Sequence, residues 1–411
     1  PLIVQKYGGS SLAGAGQIRE VASRIIARRD QGVDIIVVVS AMGESTDQLI
    51  TLSQDVTVGG LPNSREMDTL LSTGELVSST LMAMALTSLG CDSISLSGVQ
   101  AGIKTDTVHG SARIADIDTD RLQRELDEGR MVVVAGFQGM TDSGDITTLG
   151  RGGSDTTAVA LAIALEADCC EIYTDVDGIY TADPRLVPEA RKLDEVGFEE
   201  MLELASSGAK MNPRSIEMGM VYGVPILVAS SFGDNPGTII HEVEAMDSSV
   251  GEIRGRVRGI ATDTNVAKIT VMGVVDRPGV AASMFEPLSD AGISVDVIVQ
   301  NASVDGATDV TFTVKRTDLR RTLEVVEPVA QEMGSRQVVT ADELAKVSVV
   351  GTGMRDAPGY ASRMFRALSD SQVNIEMIST SEIRITCIVS EVHVGLAARA
   401  LHAAFQLERS D

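Results

Sequence analysis

The 411-residue sequence has no tryptophan and only 3% aromatic residues, which leaves little material for the stacked rings that hold single-stranded nucleic acid. It has no surplus of basic charge: 34 Lys and Arg stand against 58 Asp and Glu, a formal net charge of −24. That balance repels phosphate backbones and anionic lipid, and no strongly basic stretch offsets it, so neither nucleic acid nor membrane is expected as a partner. The four cysteines, Cys91, Cys169, Cys170 and Cys387, form no Cys-x-x-Cys pair. A chain of this length needs no disulfide framework, so a reducing, cytoplasmic compartment is expected. The four histidines, His109, His241, His393 and His402, show no metal-ligand spacing, and there is no Gly-x-Ser-x-Gly elbow. The N-terminus has no basic region followed by a long apolar one, so no signal peptide is expected. The longest unbroken apolar runs, 35–39 and 131–135, fall far short of the ~20 residues of a membrane span.

What is present is an ordinary globular balance, 44% hydrophobic and 22% charged, in a length that suits two or three domains. Up to about residue 232, short β-branched runs alternate with longer helical patterns. Strands are expected at 2–5, 34–39, 93–96, 131–135, 171–174 and 225–229, and helices at 17–29, 67–89, 155–166 and 198–206. Several strands are continuous apolar runs, as in sheets covered on both faces, so the alternation reads as an α/β domain with a mostly parallel sheet. The turn chemistry of Gly233-Asp234-Asn235-Pro236-Gly237 and the acidic, aperiodic stretch after it mark a domain boundary.

Beyond that boundary the chain repeats itself. Pro278-Gly279, Met284-Phe285, Leu288-Ser289-Asp290 and Ile298 recur as Pro358-Gly359, Met364-Phe365, Leu368-Ser369-Asp370 and Ile378, all at one offset of 80 residues. Residues 269–273 match 347–351 at an offset of 78. Each copy reads as a βαββαβ unit. The second copy lacks residues for a closing strand, whereas Val257–Ala261 is a strand surplus to the first. It is expected to complete the second copy's sheet, with the first copy inserted into the second.

The chemistry-bearing stretches cluster in the first part. Lys6-Tyr7-Gly8-Gly9-Ser10-Ser11 follows the first strand; its glycines and amides suit phosphate oxygens, with Lys6 as a point charge, although a plain strand-to-helix turn has the same composition. Gly150-Arg151-Gly152-Gly153-Ser154-Asp155 opens a helix, where an anion site is favoured over a simple N-cap and Arg151 suits a carboxylate. Thr174-Asp175 and the following Tyr180, Asp183 and Arg185 read either as turns or as part of a nucleotide pocket. Smaller pieces are Ser40 to Asp47, Ser72-Thr73-Gly74-Glu75, Gly136-Phe137-Gln138-Gly139 and Gly208-Ala209-Lys210. Their shared place near the C-terminal ends of strands is where ligands of open α/β sheets bind. Anion positioning without a nucleophile is the pattern of phosphoryl transfer.

Taken together, these stretches and the tandem repeat resemble the aspartate kinase (aspartokinase) family over nearly the whole chain. The resemblance implies a three-layer amino acid kinase (carbamate kinase-like) domain over 1–245, followed by two ferredoxin-like βαββαβ ACT domains. The first would span 246–335, with its leading strand 256–262 completing the second, which would span 336–411. It implies ATP and Mg²⁺ as cofactors and L-aspartate as substrate, phosphorylated on its β-carboxylate. Lys6, Asp155 and Arg151 would be catalytic. Ser40, Thr46, Asp47, Glu75, Arg151, Gly152, Gly153 and Ser154 would hold aspartate, with Arg151 on its α-carboxylate and Glu75 on its ammonium group. Lys6, Tyr7, Gly8, Gly9, Ser10, Thr174, Asp175, Tyr180, Asp183, Arg185 and Lys210 would hold ATP. Mg²⁺ would be carried mainly by the phosphates, with no protein metal site.

The effectors lysine, threonine or both would bind between paired ACT units, where Asp276, Gly279, Val280, Ala281 and Gln300 would face Asn374 and Ile375, with Ser381 and Glu382 close by. A homodimer, or an assembly with an ACT-only small subunit, would follow. Tyr7 and Ser10 stand where Phe and Thr are frequent in the family, and the Met211-Asn212-Pro213-Arg214 stretch is a variable region. The monofunctional form, with no homoserine dehydrogenase segment, is expected. Two competing readings are a kinase of glutamate or acetylglutamate, and an amino-acid sensor whose kinase site is dead. The Arg151–Asp155 block argues against the first, and the intact Lys6, Glu75, Arg151, Asp155 and Lys210 against the second.

Overall fold

The computed structural model describes residues 1–58, 60, 62–208, 211–242, 256–301, 306–352, 354 and 358–409. The chain divides into two compact units. The first comprises Pro1–Ile179, Lys192–Ala205 and Lys210–Val250; the second comprises Tyr180–Arg191, Ser206–Ala209 and Gly251–Asp411. The division is therefore not a single cut: two short segments from the first half of the chain go with the second unit. The 245/246 boundary expected from sequence lies outside the described residues, as does Lys210.

In the first unit the strands are β1 (Leu2–Tyr7), β2 (Asp34–Val39), β3 (Ser93–Leu96), β4 (Ile103–Thr105), β5 (Ile114–Ile117), β6 (Met131–Ala135), β7 (Gln138–Met140), β8 (Ile146–Thr148), β9 (Cys169–Thr174), β10 (Glu195–Gly197), β11 (Ile226–Ser230) and β12 (Thr238–His241). The helices are α1 (Ala15–Arg29), α2 (Ser45–Val56), α3 (Ser64–Ser88), α4 (Asp120–Asp127), α5 (Gly153–Ala164), α6 (Phe198–Ser206) and α7 (Pro213–Tyr222). Eight strands form one sheet in the order β10-β12-β11-β9-β1-β2-β6-β3, parallel except where β12 runs against β11. A small second sheet runs β5-β4-β7-β8.

The alternation of side chains along β1 assigns the two faces of the large sheet. Ile3 and Tyr7 join a core with α1 and α3, which includes Ile25, Val37, Met82 and Leu86. Lys6 points the other way, to Asp155 on α5. Helix α5 is buried throughout Gly153–Ala162, as a helix of small and apolar residues packed against a central sheet must be. Helix α3 is long and apolar enough, by length and composition, to cross a membrane, yet half of its most apolar window is buried and that packed face carries Asp68 and Glu75.

The second unit holds β13 (Arg256–Val275), α8 (Val280–Asp290), β14 (Ile298–Gln300), β15 (Ala307–Val314), α9 (Leu319–Glu332), β16 (Gln337–Thr352), α10 (Tyr360–Asp370), β17 (Met377–Thr380), β18 (Arg384–Ser390) and α11 (Val394–Ala404). The two repeats are thus strand, helix, strand, strand, helix, and α8 and α10 both start after a left-handed glycine, Gly279 at φ +94° and Gly359 at φ +112°. One six-stranded sheet, β14-β15-β13-β16-β18-β17, contains both. The first half of β13 pairs with the second repeat: Val257 lies opposite Gly351, and Ala261 opposite Ser348. Its second half pairs with β15 and with residues 337–341 of β16. Each repeat therefore borrows a strand that is continuous with the other.

Candidate active site

The sheet delivers its ligand-bearing residues to one pocket of about 490 Å³ in the first unit. Strand β1 brings Lys6, whose Nζ lies 2.7 Å from Asp155 Oδ1 in the first turn of α5. Gly152, Gly153 and Ser154 line the same wall, so the helix start faces the cavity with its positive dipole end, although the Gly153 and Asp155 amides already donate to Gly150 O at 2.9 Å and to Gly152 O at 3.1 Å. Gly152 serves as N-cap at φ +74°, a conformation that favours glycine, and a Cβ there would lie 2.6 Å from the Asn212 amide nitrogen. Arg151 stands exposed at the rim, and no carboxylate pairs with it among the described residues.

The opposite wall is built by α3. Gly74 permits the helix to press against the turn after β2, since a Cβ there would come 2.8 Å from that of Ala41. The approach lets Glu75 Oε1 accept from the Ala41 amide at 3.1 Å and lets Ser78 Oγ donate to Ser40 O at 2.7 Å. Glu75 is 3% exposed, and its Oε2 has no partner among the described residues. Burial pushes its carboxyl up to about 8, only partly offset by backbone hydrogen bonds. Ser40, Thr46 and Asp47 complete this side. Phe137 lines the cavity with φ +73°, a strained conformation for a bulky residue.

All three residues read as catalytic, and all eight read as substrate-binding, therefore line one cavity. The residues read as nucleotide-binding are more dispersed. Gly9 lines the cavity, and its Cβ would lie 2.7 Å from Ala41 O. Two assignments need correction. The Tyr7 ring is 2% exposed and stacks on Tyr173 at 4.9 Å in the core, so its side chain does not face a ligand. The Gly8 amide already donates to Tyr173 O at 3.1 Å and is spoken for. Ser10 lies in the short helical turn Gly9–Leu12. Thr174 and Asp175 close β9 in the first unit, whereas Tyr180, Asp183 and Arg185 belong to the second unit's segment Tyr180–Arg191.

The residues proposed to hold effectors are all in the second unit, but in two groups. Gln300 ends β14, and Asp276, Gly279, Val280 and Ala281 lead into α8. Asn374, Ile375, Ser381 and Glu382 flank β17. Four strands separate β14 from β17, which are the two edges of the sheet. Within one chain Gln300 and the residues flanking β17 therefore lie at opposite edges, while Asp276–Ala281 follow the inner strand β13.

Sequence reasoning missed the residues that hold the Arg151 turn. Asn212 Nδ2 donates to Arg151 O at 3.2 Å, and Arg214 donates to Leu149 O at 2.9 Å and to Ala112 O at 3.1 Å. The stretch read as a variable region is thus structural support for the glycine loop. Asn212 was legible as an N-cap, preceding Pro213 at the first turn of α7. Asp68, buried beside His109 and Thr148, was also missed.

Residues 1–230 match the amino acid kinase family, and residues 269–328 and 347–405 each match the ACT domain. The aspartokinase of Corynebacterium glutamicum is 50% identical over 414 aligned residues, covering 100% of this chain and 97% of that one. Among solved structures, E. coli aspartokinase III in complex with aspartate and ADP (R-state) superposes with a TM-score of 0.82 at 25% identity, covering 98% of this chain and 99% of that one. The same enzyme in complex with lysine and aspartate (T-state) gives 0.73 at 26% identity, covering 98% and 99%.

The buried carboxyl of Glu75 makes one prediction about stability. An unfolded chain releases this proton near 4.5, whereas the folded one keeps it to about 8, so stability falls as pH rises between those values. Glu75→Gln removes that slope. Its melting temperature should exceed that of the wild type at about pH 8.5, by more than at about pH 6. Equal melting temperatures at the higher pH would contradict the burial argument.

Proposed function

The chain belongs to the aspartokinase family, and we propose that its pocket holds L-aspartate with the terminal phosphoryl group of ATP beside Lys6. The protein phosphorylates the β-carboxylate of aspartate at the expense of ATP, giving 4-phospho-L-aspartate and ADP, the entry to lysine, threonine and methionine synthesis. One observation carries the substrate assignment: Glu75 Oε2, buried and unpartnered, shares a cavity with the unpaired Arg151 guanidinium. An anionic and a cationic group on opposite walls match the ammonium and α-carboxylate of an amino acid. Burial holds the Glu75 carboxyl high, and arrival of the ammonium would favour its ionised form.

The β-carboxylate needs no general base, because an aspartate side chain is ionised at neutral pH. Catalysis is then positioning and charge neutralisation. Asp155, 2.7 Å from Lys6 Nζ, fixes the ammonium where negative charge develops on the moving phosphoryl group. The Gly9 and Ser10 amides take phosphate oxygens, while Gly8 and the Tyr7 ring are engaged elsewhere. Thr174, Asp175, Tyr180, Asp183 and Arg185 form the remainder of the nucleotide contacts. Lys210 joins them on resemblance alone. Among the described residues no cluster of three carboxylate, histidine or cysteine ligands could hold a metal ion. On the resemblance, Mg²⁺ would enter on the nucleotide, where it would neutralise phosphate charge.

Lysine is bound by the E. coli relative, and we extend that regulation to this chain with threonine as a further effector. Gln300 and the residues flanking β17 lie on opposite sheet edges, so an edge of one chain meeting an edge of another would bring them together. A homodimer supplies both edges. The reading places the protein in the cytoplasm, where its substrates are.

The first test is ATP-dependent aspartyl hydroxamate formation by the purified chain. Wild type should turn over aspartate and not glutamate; turnover of glutamate alone would move the protein to a different carboxylate. Lys6→Ala should abolish the reaction while effector binding, followed by calorimetry, persists. Full activity in that variant would remove Lys6 from its role. Gln300→Ala should shift inhibition by lysine and threonine to higher concentration with little loss of uninhibited rate, and superimposable inhibition curves would refute the effector assignment.

A further inference from the structure

Asp68 lies one heptad before Glu75 on the packed face of α3 and is completely buried. An isolated carboxylate in that position would be strongly unfavourable, so what compensates it matters. Its oxygens accept from His109 Nδ1 at 2.7 Å, from the Gly110 amide at 3.0 and 3.1 Å, and from Thr148 Oγ1 at 2.5 Å. The three donors come from two segments, the turn after β4 and the end of β8, which Arg214 also bridges through Ala112 O and Leu149 O and which the Thr105 and Thr147 hydroxyls join at 2.5 Å. Ala112 adds one tie, donating to Thr148 O at 2.9 Å.

Thr148 stands three residues before Arg151, and the chain between them has no freedom to drift independently. Leu149 donates to Phe137 O at 2.9 Å. Gly150, at φ +81°, packs so closely on the other loop that a Cβ would sit 3.2 Å from Gly110 O. Asp68 thus grips both sides of the seam that sets the height of the Arg151 turn. Asp68 itself, Gly110 and Thr148 all line the cavity that Arg151 overlooks.

We propose that Asp68, with His109 as its partner, is a positioning residue for the aspartate site, fixing the turn that presents Arg151 to the substrate carboxylate. The inference rests on Arg151 being the carboxylate clamp. It predicts an effect on one substrate only, because Lys6, Asp155 and the β1 turn that receive ATP are held by other contacts.

The test measures KM for aspartate at saturating ATP and KM for ATP at saturating aspartate, in Asp68→Ala, Asp68→Asn and Thr148→Val. Asp68→Ala should raise the aspartate KM by about tenfold or more, and the ATP KM by less than about twofold. Asp68→Asn should recover most of the loss. Its amide oxygen can keep Gly110 and Thr148, and its NH₂ can donate to His109 in the other tautomer. Thr148→Val, which removes one donor and keeps the shape, should raise the aspartate KM by a few fold and decides the matter if Asp68→Ala does not fold. Parallel rises in both KM values, or an unchanged aspartate KM in Thr148→Val, would overturn the proposal. Wild-type turnover of aspartate in the same assay reports separately on the activity itself, so the two failures are distinguishable.

Discussion

The contact between Lys6 and Asp155 is the point on which the catalytic half is arranged. Both side chains are largely withdrawn from water, and such a pair offsets its desolvation only when its geometry is fixed from both sides. One side is β1, held between β2 and β9 near the middle of an eight-stranded sheet. The other is α5, buried for ten consecutive residues. Neither element can shift without disturbing the core, so the ammonium sits where the sheet puts it. The glycines at 152 and 153 follow from the same demand, because the chain must turn into α5 directly beneath Asn212 and Phe137.

Much of this was readable in the sequence because period and position carry it. The apolar runs at 34–39 and 131–135 are the strands β2 and β6 in full, and the Gly150–Asp155 block opens α5. The errors have equally local causes. Lys6 and Tyr7 are neighbours in a strand, so they must point to opposite faces; a ligand-facing lysine requires a core-facing tyrosine. Reading Lys6–Ser11 as one phosphate loop ignored that alternation. Asp68, His109 and Thr148 were invisible for a different reason. Their contacts span 41 and 80 residues of sequence, and nothing in their local pattern distinguishes them from ordinary helix, turn and strand residues. Glu75 was legible by resemblance, but its burial was not, because it depends on Gly74 letting α3 approach Ala41.

The regulatory half turns on a different constraint, the sharing of strands. Because β13 contributes its first half to one repeat and its second half to the other, neither repeat has a complete sheet of its own. A displacement along β13 in one repeat is a displacement in the other, with no loop between them to absorb it. The second unit also includes Tyr180–Arg191: Ile260 donates to Thr181 O at 2.7 Å, and Thr181 Oγ1 lies 2.9 Å from the buried His402 of α11. Tyr180, Asp183 and Arg185, which are proposed for the nucleotide, thus belong to the same unit as the proposed effector groups.

Charge sets the remaining problem. A chain of net charge −24 must collect two anions, aspartate and a nucleotide, in one cavity. At a Debye length of about 8 Å the distant carboxylates are mostly screened, so only the local field matters. There the pocket presents Lys6, Arg151 and the amide end of α5. Of the buried acidic groups lining it, Asp68 is held by His109, Gly110 and Thr148 and Asp155 by Lys6, which leaves Glu75 for the incoming ammonium in the proposed reading. A zwitterion therefore satisfies what a simple dicarboxylate would leave unmet. If the proposed reading holds, the buried, incompletely partnered Glu75 is destabilising in the empty protein for the same reason that it would select an amino acid, and the fold tolerates the one to obtain the other.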